Sequence, residues 1–154
     1  MSNVYIDTKL KDDYQLDICQ INALIPRASS YSIAIIQPLE NVVTNDDWVK
    51  NENHERILEK YNNFFINVNR DNRELVLSPE YSCPWASLKA QFENNFPKEG
   101  YLWVLGCESI KPSELEDLKN EFNDIQFIYE EIQVFGDRNF LDPIVYCFNS
   151  IDED

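Results

Sequence analysis

The sequence predicts an α/β fold with a mostly parallel buried sheet, flanking helices and an antiparallel edge hairpin. Three short apolar runs, at residues 32–37, 74–78 and 101–107, are rich in branched and aromatic residues, as buried strands are. Amphipathic segments separate these runs, which is typical of the strand–helix–strand units of parallel sheets. Two later apolar runs follow each other with no helix between them, and this arrangement predicts antiparallel pairing.

The first strand–helix–strand unit begins at residues 32–37, a run that ends at Pro38 and whose two faces we expect to be covered. After a polar loop, a helix is predicted over residues 52–67, and the second strand follows at 74–78. Such a unit should be parallel and right-handed. The helix prediction depends on apolar residues that recur along one stripe, namely Ile57, Leu58, Tyr61, Phe64, Phe65 and Val68.

The next segment repeats the alternation of helix and strand. A second helix is predicted to begin near Pro84, since the missing N–H of proline costs nothing in a first helical turn, and to end at residues 94–97. Residues 101–107 then form the third strand of the sheet. Pro112 begins a short helix with Leu115, Leu118 and Phe122 on its inner face.

The last part of the predicted domain is the antiparallel hairpin. Residues 125–135 and 143–148 are its two strands, and residues 136–139 belong to the long turn between them. Residues 1–30 lack a clear period and are predicted to form an N-terminal extension, whereas residues 31–154 form one domain.

Composition excludes several classes of function. The chain has 154 residues and a net charge of −15, which argues against binding to phosphate backbones and therefore against a nucleic-acid ligand. An acidic chain can instead mimic nucleic acid, but the acids here punctuate helices and loops, which favours a solvated face. No stretch has the length of a membrane span, and the N-terminus alternates Lys and Asp, so we expect a cytoplasmic protein without a membrane partner.

The usual catalytic and cofactor motifs are missing. Four widely spaced cysteines, with no C-x-x-C pair, predict reduced and mostly buried thiols rather than a disulfide or a metal site: Cys19, Cys83, Cys107 and Cys147. Three glycines cannot form a phosphate-binding loop, so no cofactor is expected. The single histidine, His54, lies near the start of an amphipathic helix and is predicted to be a surface residue.

One carboxylate stands out as a candidate catalytic group. The apolar run 74–78 stops at Pro79, and Glu80 follows directly. Ligands of α/β proteins bind beyond the carboxyl ends of the strands, so this position predicts a site. A partly buried carboxylate there would have a raised pKa, which suits a general base. The alternative is that Glu80 caps the helix that begins near Pro84.

The order of strands and motifs resembles the N-terminal half of a carbon–nitrogen hydrolase of the nitrilase superfamily. In that family, the first strand ends in Gln, as at Gln37, the second delivers a Pro-Glu pair, as at Pro79-Glu80, and the third ends in Gly, as at Gly106. The resemblance covers about residues 31–149 and implies half of an αββα sandwich. It also implies a Glu-Lys-Cys triad in which Glu80 is the general base, while the Lys steadies the tetrahedral intermediate and the Cys attacks a nitrile or amide carbon.

The sequence departs from this family in the rest of the triad. The family lysine follows the hairpin that residues 143–148 begin, and the family cysteine comes later still, at a turn after another strand. The last lysine of this sequence is Lys119. Neither Cys107 nor Cys147 lies in a sequence context like that of the family's nucleophilic cysteine. We therefore expect a partial domain that is inactive alone. It is either completed by a second polypeptide, associated with copies of itself, or a catalytically dead remnant. The alternative from a different class is a non-catalytic acidic module that binds a protein.

Overall fold

The computed structural model describes residues 32–94, 97–123, 125 and 139–149. Residues 1–31, which include the predicted extension, lie outside this part. The elements in chain order are β1 (Ile33–Ile35), β2 (Val42–Thr44), β3 (Val49–Asn51), α1 (His54–Asp71), β4 (Leu75–Cys83), α2 (Trp85–Asn94), β5 (Leu102–Cys107), α3 (Pro112–Glu121) and β6 (Ile144–Phe148).

Four of these strands form one sheet in the order β1-β4-β5-β6. The β1–β4 and β4–β5 pairs are parallel, and β6 lies antiparallel to β5 at the edge. The α/β class with a mostly parallel sheet is therefore confirmed. The predicted pairing of residues 125–135 with 143–148 falls outside the described residues, and the partner that the structure gives to β6 is β5.

The segment between β1 and α1 is more regular than the predicted polar loop. Strands β2 and β3 pair antiparallel as a separate two-stranded sheet. The side chain of Asn45 forms the turn between them, because its Oδ1 accepts the N–H groups of Asp47 and Trp48 at 2.8 and 2.9 Å. Each strand has only three residues, and so short a run carries no readable period.

Helix α1 follows the predicted apolar stripe and extends four residues beyond its predicted end. Its buried residues are Ile57, Tyr61, Phe65 and Val68. Asn53 caps its first turn by accepting the Arg56 N–H at 3.1 Å, and Asn72 ends it in the left-handed conformation at φ 51°.

Helices α2 and α3 begin where their prolines predict. Helix α2 starts directly after Pro84 and buries Leu88, and α3 has Pro112 in its first turn and buries Leu118. The rings of Phe92 and Phe122 meet edge to face, with centroids 5.3 Å apart, which joins the two helices.

The two faces of the four-stranded sheet differ sharply. One face packs against α1 and α2, and its centre is the stacked pair Phe65 and Trp103, with ring centroids 5.2 Å apart. On the other face, Ile35 and Tyr146 are 66% and 62% exposed. The expectation that both faces of the first strand are covered is thus wrong, because none of the described elements packs over this side. We call this surface the open face; by strand register it consists of Ile33, Ile35, Leu75, Leu77, Leu102, Val104, Ile144, Tyr146 and Phe148. Leu102 at its centre is buried, and the exposed members lie on the outer strands β1 and β6.

Candidate functional site

Glu80 lies on a bulge of β4 rather than beyond the end of the strand. Pairing with β5 is regular up to Ser78, breaks, and resumes where Cys83 pairs with Cys107. The predicted strand end at residue 78 is therefore wrong, since the proline interrupts the ladder without ending it. We call residues 79–82 the Glu80 bulge; its Tyr81 has a positive φ of 57°, which bulky residues rarely adopt.

Gly106 makes room for this bulge from the neighbouring strand. A Cβ at this position would lie 2.3 Å from the carbonyl oxygen of Pro79 and 2.5 Å from the Cα of Glu80, far inside van der Waals contact. The Gly106 N–H also donates to Ser78 Oγ at 3.1 Å. Only glycine therefore lets β5 run this closely beneath the bulge.

Buried side chains hold the bulge from its other end. Ser82 Oγ donates its hydrogen to the Pro79 carbonyl at 2.6 Å, so the short hydrogen bond between Ser82 Oγ and the Tyr61 hydroxyl must be donated by Tyr61. Burial raises the pKa of Tyr61 well above its usual value, which keeps the hydroxyl protonated as this bond requires. The bulge is thus tied to the core through α1.

The carboxylate of Glu80 is exposed to solvent. The expected partial burial is therefore wrong for this chain on its own. Among the described residues, Glu80 makes no hydrogen bond to the first turn of α2, so nothing in the structure supports the capping alternative. Its side chain borders a small cleft of about 70 Å³ formed by Glu80, Tyr81, Cys107, Asp142, Pro143 and Ile144.

The described cysteines are buried and free. Cys83, Cys107 and Cys147 confirm the prediction of reduced, buried thiols, and Cys19 lies outside the described residues. Burial, and then the adjacent Cys83 thiol, raises the pKa of Cys107, which lines the cleft. Burial likewise raises the pKa of Cys147. Protonated thiols are poor nucleophiles, so neither residue is suited to attack a substrate.

The lysines do not complete the site either. No lysine of the described residues lines the cleft beside Glu80. Lys119 pairs with Glu116 on α3 at 3.1 Å, as expected of a solvated helix face. Lys60 pairs with Glu40, and this hydrogen bond, together with the Arg56 charge, holds the pKa of Glu40 below its usual value.

Sequence reasoning missed a buried polar pair beside the bulge. Glu108, directly after β5, is 2% exposed, and its Oε1 accepts the backbone N–H of Asn51 at 3.1 Å and the Asn51 Nδ2 at 3.0 Å. The other Nδ2 contacts of Asn51 are the carbonyls of Tyr81 and Ser82, at 3.0 and 3.3 Å. The signal that singled out Glu80, a carboxylate after a buried parallel strand, also applies to Glu108.

His54 lies at the rim of this pair. Its side chain is 55% exposed, as predicted, and its Nδ1 is 3.9 Å from Glu108 Oε2, beyond hydrogen-bond distance. In the part of the chain that the structure covers, no three His, Cys, Asp or Glu side chains gather as a metal site requires. Nor does that part contain a helix long and apolar enough to span a membrane.

Comparisons of the chain with protein-family models, with curated proteins and with solved structures find no match.

Replacing Gly106 by Ala should distort the Glu80 bulge, because the new methyl group meets backbone atoms that cannot move aside. We expect a loss of at least about 2 kcal/mol in the free energy of unfolding, measured with denaturant, and large shifts of the amide NMR signals of residues 80–82. The control is Gly100→Ala, at φ 77° and away from the bulge. It should lose about 1 kcal/mol and leave those signals in place. Equal spectral changes in the two variants would contradict this role of Gly106.

The buried thiols should make stability fall at alkaline pH. Because burial raises the folded-state pKa of Cys107 and Cys147, their contribution is complete below the unfolded thiol pKa of about 8.5 and is lost as the pH rises above it. Denaturation between pH 7 and 9.5 should show this decline, and the decline should be shallower in Cys147→Ala. Identical slopes in the two proteins would be inconsistent with a buried, protonated Cys147.

Proposed function

We propose that this chain is a partial carbon–nitrogen hydrolase-like domain that supplies Glu80 as the general base of a site completed by a second polypeptide. The observation that carries the proposal is the contact between Pro79-Glu80 and Gly106. These are two of the three motifs on which the resemblance to the nitrilase superfamily depends, and they lie on different strands. Because the bulge at Pro79-Glu80 leaves no room for a side chain at position 106, the Pro-Glu motif and the glycine motif are expected to occur together.

The chemistry requires more than the described residues offer. A thiol becomes a strong nucleophile when a base within hydrogen-bond reach takes its proton, and a lysine can then stabilise the charge that develops on the substrate. Glu80 is accessible and held on a constrained bulge, which suits the base. Because the pKa of Cys107 is raised and no lysine among the described residues lines the cleft, we assign the nucleophile and the cation to a second polypeptide.

The open face supports the involvement of another chain. Its exposed apolar side chains, Ile33, Ile35, Ile144 and Tyr146, lie on the outer strands β1 and β6, and exposed apolar patches can mark protein contacts. A polypeptide packed on or beside the sheet could also exclude water from Glu80, the condition under which carboxylates act as bases near neutral pH.

The chain alone should release no ammonia from a panel of small nitriles and amides, because the described residues place neither a reactive thiol nor a lysine beside Glu80. If the genome encodes the missing Lys and Cys segments in a neighbouring reading frame, the co-purified pair should release ammonia. Glu80→Gln should abolish this activity, and the control Glu93→Gln, an exposed position on α2, should retain it.

Two results would overturn the proposal. Turnover by the chain alone that disappears in Glu80→Gln would show that the site is already complete. Activity of the pair that survives Glu80→Gln would remove Glu80 from the base position.

A second candidate, a non-catalytic acidic module that binds a protein, is favoured by the same open face without any need for Glu80.

Under either function, the purified chain should self-associate as its concentration rises, because association buries the apolar side chains of the open face. Size-exclusion chromatography with light scattering measures this association. Ile35→Lys combined with Tyr146→Lys should restore a monomer. Leu39→Lys, at a residue that is 88% exposed but outside the sheet, should not. A wild-type chain that stays monomeric at all concentrations would contradict an uncovered sheet face.

A further inference from the structure

We infer that Asn51 and Glu108 are positioning residues that hold the Glu80 bulge in its strained conformation. The inference rests on the proposed function in one respect, that Glu80 is the group whose position matters. The geometry behind it is independent of that function, since it consists of hydrogen bonds between buried side chains and the bulge backbone.

The hydrogen bonds of Asn51 leave its side chain one orientation. Glu108 Oε1 accepts the backbone N–H of Asn51, and the same acceptor oxygen faces the nitrogen of the Asn51 side-chain amide. That nitrogen has two hydrogens. One is used by Glu108, and the other is shared by the carbonyls of Tyr81 and Ser82, at 3.0 and 3.3 Å. The carboxylate therefore determines which end of the amide meets the bulge.

The carbonyls that Asn51 binds, those of Tyr81 and Ser82, belong to the segment of β4 in which the pairing with β5 is interrupted. The regular pairing of β4 with β5 is interrupted between Ser78 and Cys83, so the strand backbone there needs other donors. Tyr81, at φ 57°, is also the strained residue of the bulge. Asn51 thus binds the backbone at the residue of the bulge that has a positive φ.

Glu108 is itself held on several sides. Its backbone N–H donates to the Cys83 carbonyl at 3.0 Å, and its carbonyl accepts the Trp85 indole N–H at 2.8 Å. The next residue, Ser109, donates its N–H to the Val49 carbonyl at 3.0 Å and accepts the Val49 N–H through Oγ at 2.7 Å. The hairpin strand β3, which ends in Asn51, is therefore attached to the segment that contains Glu108.

A buried carboxylate is costly for a protein to keep. Removing a carboxyl group from water is unfavourable unless hydrogen bonds compensate, and among the described residues Asn51 supplies two donors to Glu108 Oε1. His54 Nδ1 lies 3.9 Å from the other oxygen. An apolar residue would fill this position at a lower desolvation cost, but it could not orient the side-chain amide of Asn51.

The experiment is NMR relaxation on the intact chain, with backbone order parameters for picosecond to nanosecond motion and relaxation dispersion for microsecond to millisecond motion. Glu108→Ala should lower the order parameters of residues 80–82 from about 0.85 to below about 0.6, or introduce dispersion there. The amides of β5 residues 103–105 should not change. Glu108→Gln keeps a carbonyl oxygen that can accept from Asn51, and it should restore the wild-type values.

Two further variants make the test decisive. Asn51→Ser keeps the backbone N–H that binds Glu108 Oε1 but removes the side-chain nitrogen that binds the two bulge carbonyls, so it should loosen residues 80–82 even if Glu108→Ala does not fold. The control Ser87→Ala removes a buried hydroxyl that donates to Asn62 Oδ1 at 2.9 Å and not to the bulge. It should leave the bulge unchanged.

An unchanged bulge in Asn51→Ser would overturn the inference, as would loosening in Glu108→Gln equal to that in Glu108→Ala. Equal loosening of the bulge and of β5 would show a general loss of stability instead and would also contradict it. These readouts need no catalysis, so failure of this inference is distinguishable from failure of the proposed function, which is read from ammonia release.

Discussion

The close approach of β5 to the Glu80 bulge is the contact on which the site depends. Gly106 has no side chain, and the space a Cβ would take is filled by the backbone of Pro79 and Glu80. The bulge exists because proline interrupts the ladder, and the missing side chain lets the neighbouring strand accommodate it. The carboxylate of Glu80 is thus presented by two strands together.

The same region is the reason we propose that this chain contributes only part of a site. Hydrogen bonds from several buried groups hold the bulge that carries the exposed carboxylate of Glu80. These groups are Tyr61, Ser82 and the Asn51–Glu108 pair. The groups that would react with it are not brought to the cleft by the described residues. On the open face, the apolar side chains of β1 and β6 remain in contact with water. A constrained carboxylate and an uncovered sheet face both agree with a domain that works against another polypeptide.

Much of the fold could be predicted because it follows from periodicity and from proline positions. The apolar stripe of α1, the starts of α2 and α3, and the parallel order of β1, β4 and β5 all follow from local sequence. The β2–β3 hairpin could not be predicted, because three-residue strands have no period and their turn depends on one asparagine. The bulge could not be predicted either. A proline such as Pro79 can end a strand or interrupt it at a bulge, and the local sequence is the same in both cases.

The sequence singled out Glu80 as a candidate, but it did not predict the environment of this residue. Glu80 and Gly106 were both marked by their places at strand ends, yet their contact is a long-range feature that no local pattern encodes. The partial burial expected of Glu80 depended on what covers the strand end, which sequence does not specify. Asn51 and Glu108 lie far apart in the chain, and only the pairing of β3 with the segment after β5 joins them.

The most direct test of this account is a nuclear Overhauser measurement on the folded chain in solution. If Gly106 lies beneath the bulge, its Hα protons should show strong cross-peaks to the amide or Hα proton of Glu80, because a Cβ on Gly106 would lie only 2.5 Å from the Glu80 Cα. Regular pairing of the strands through residues 79–82, with no cross-peaks between Gly106 and Glu80, would contradict it.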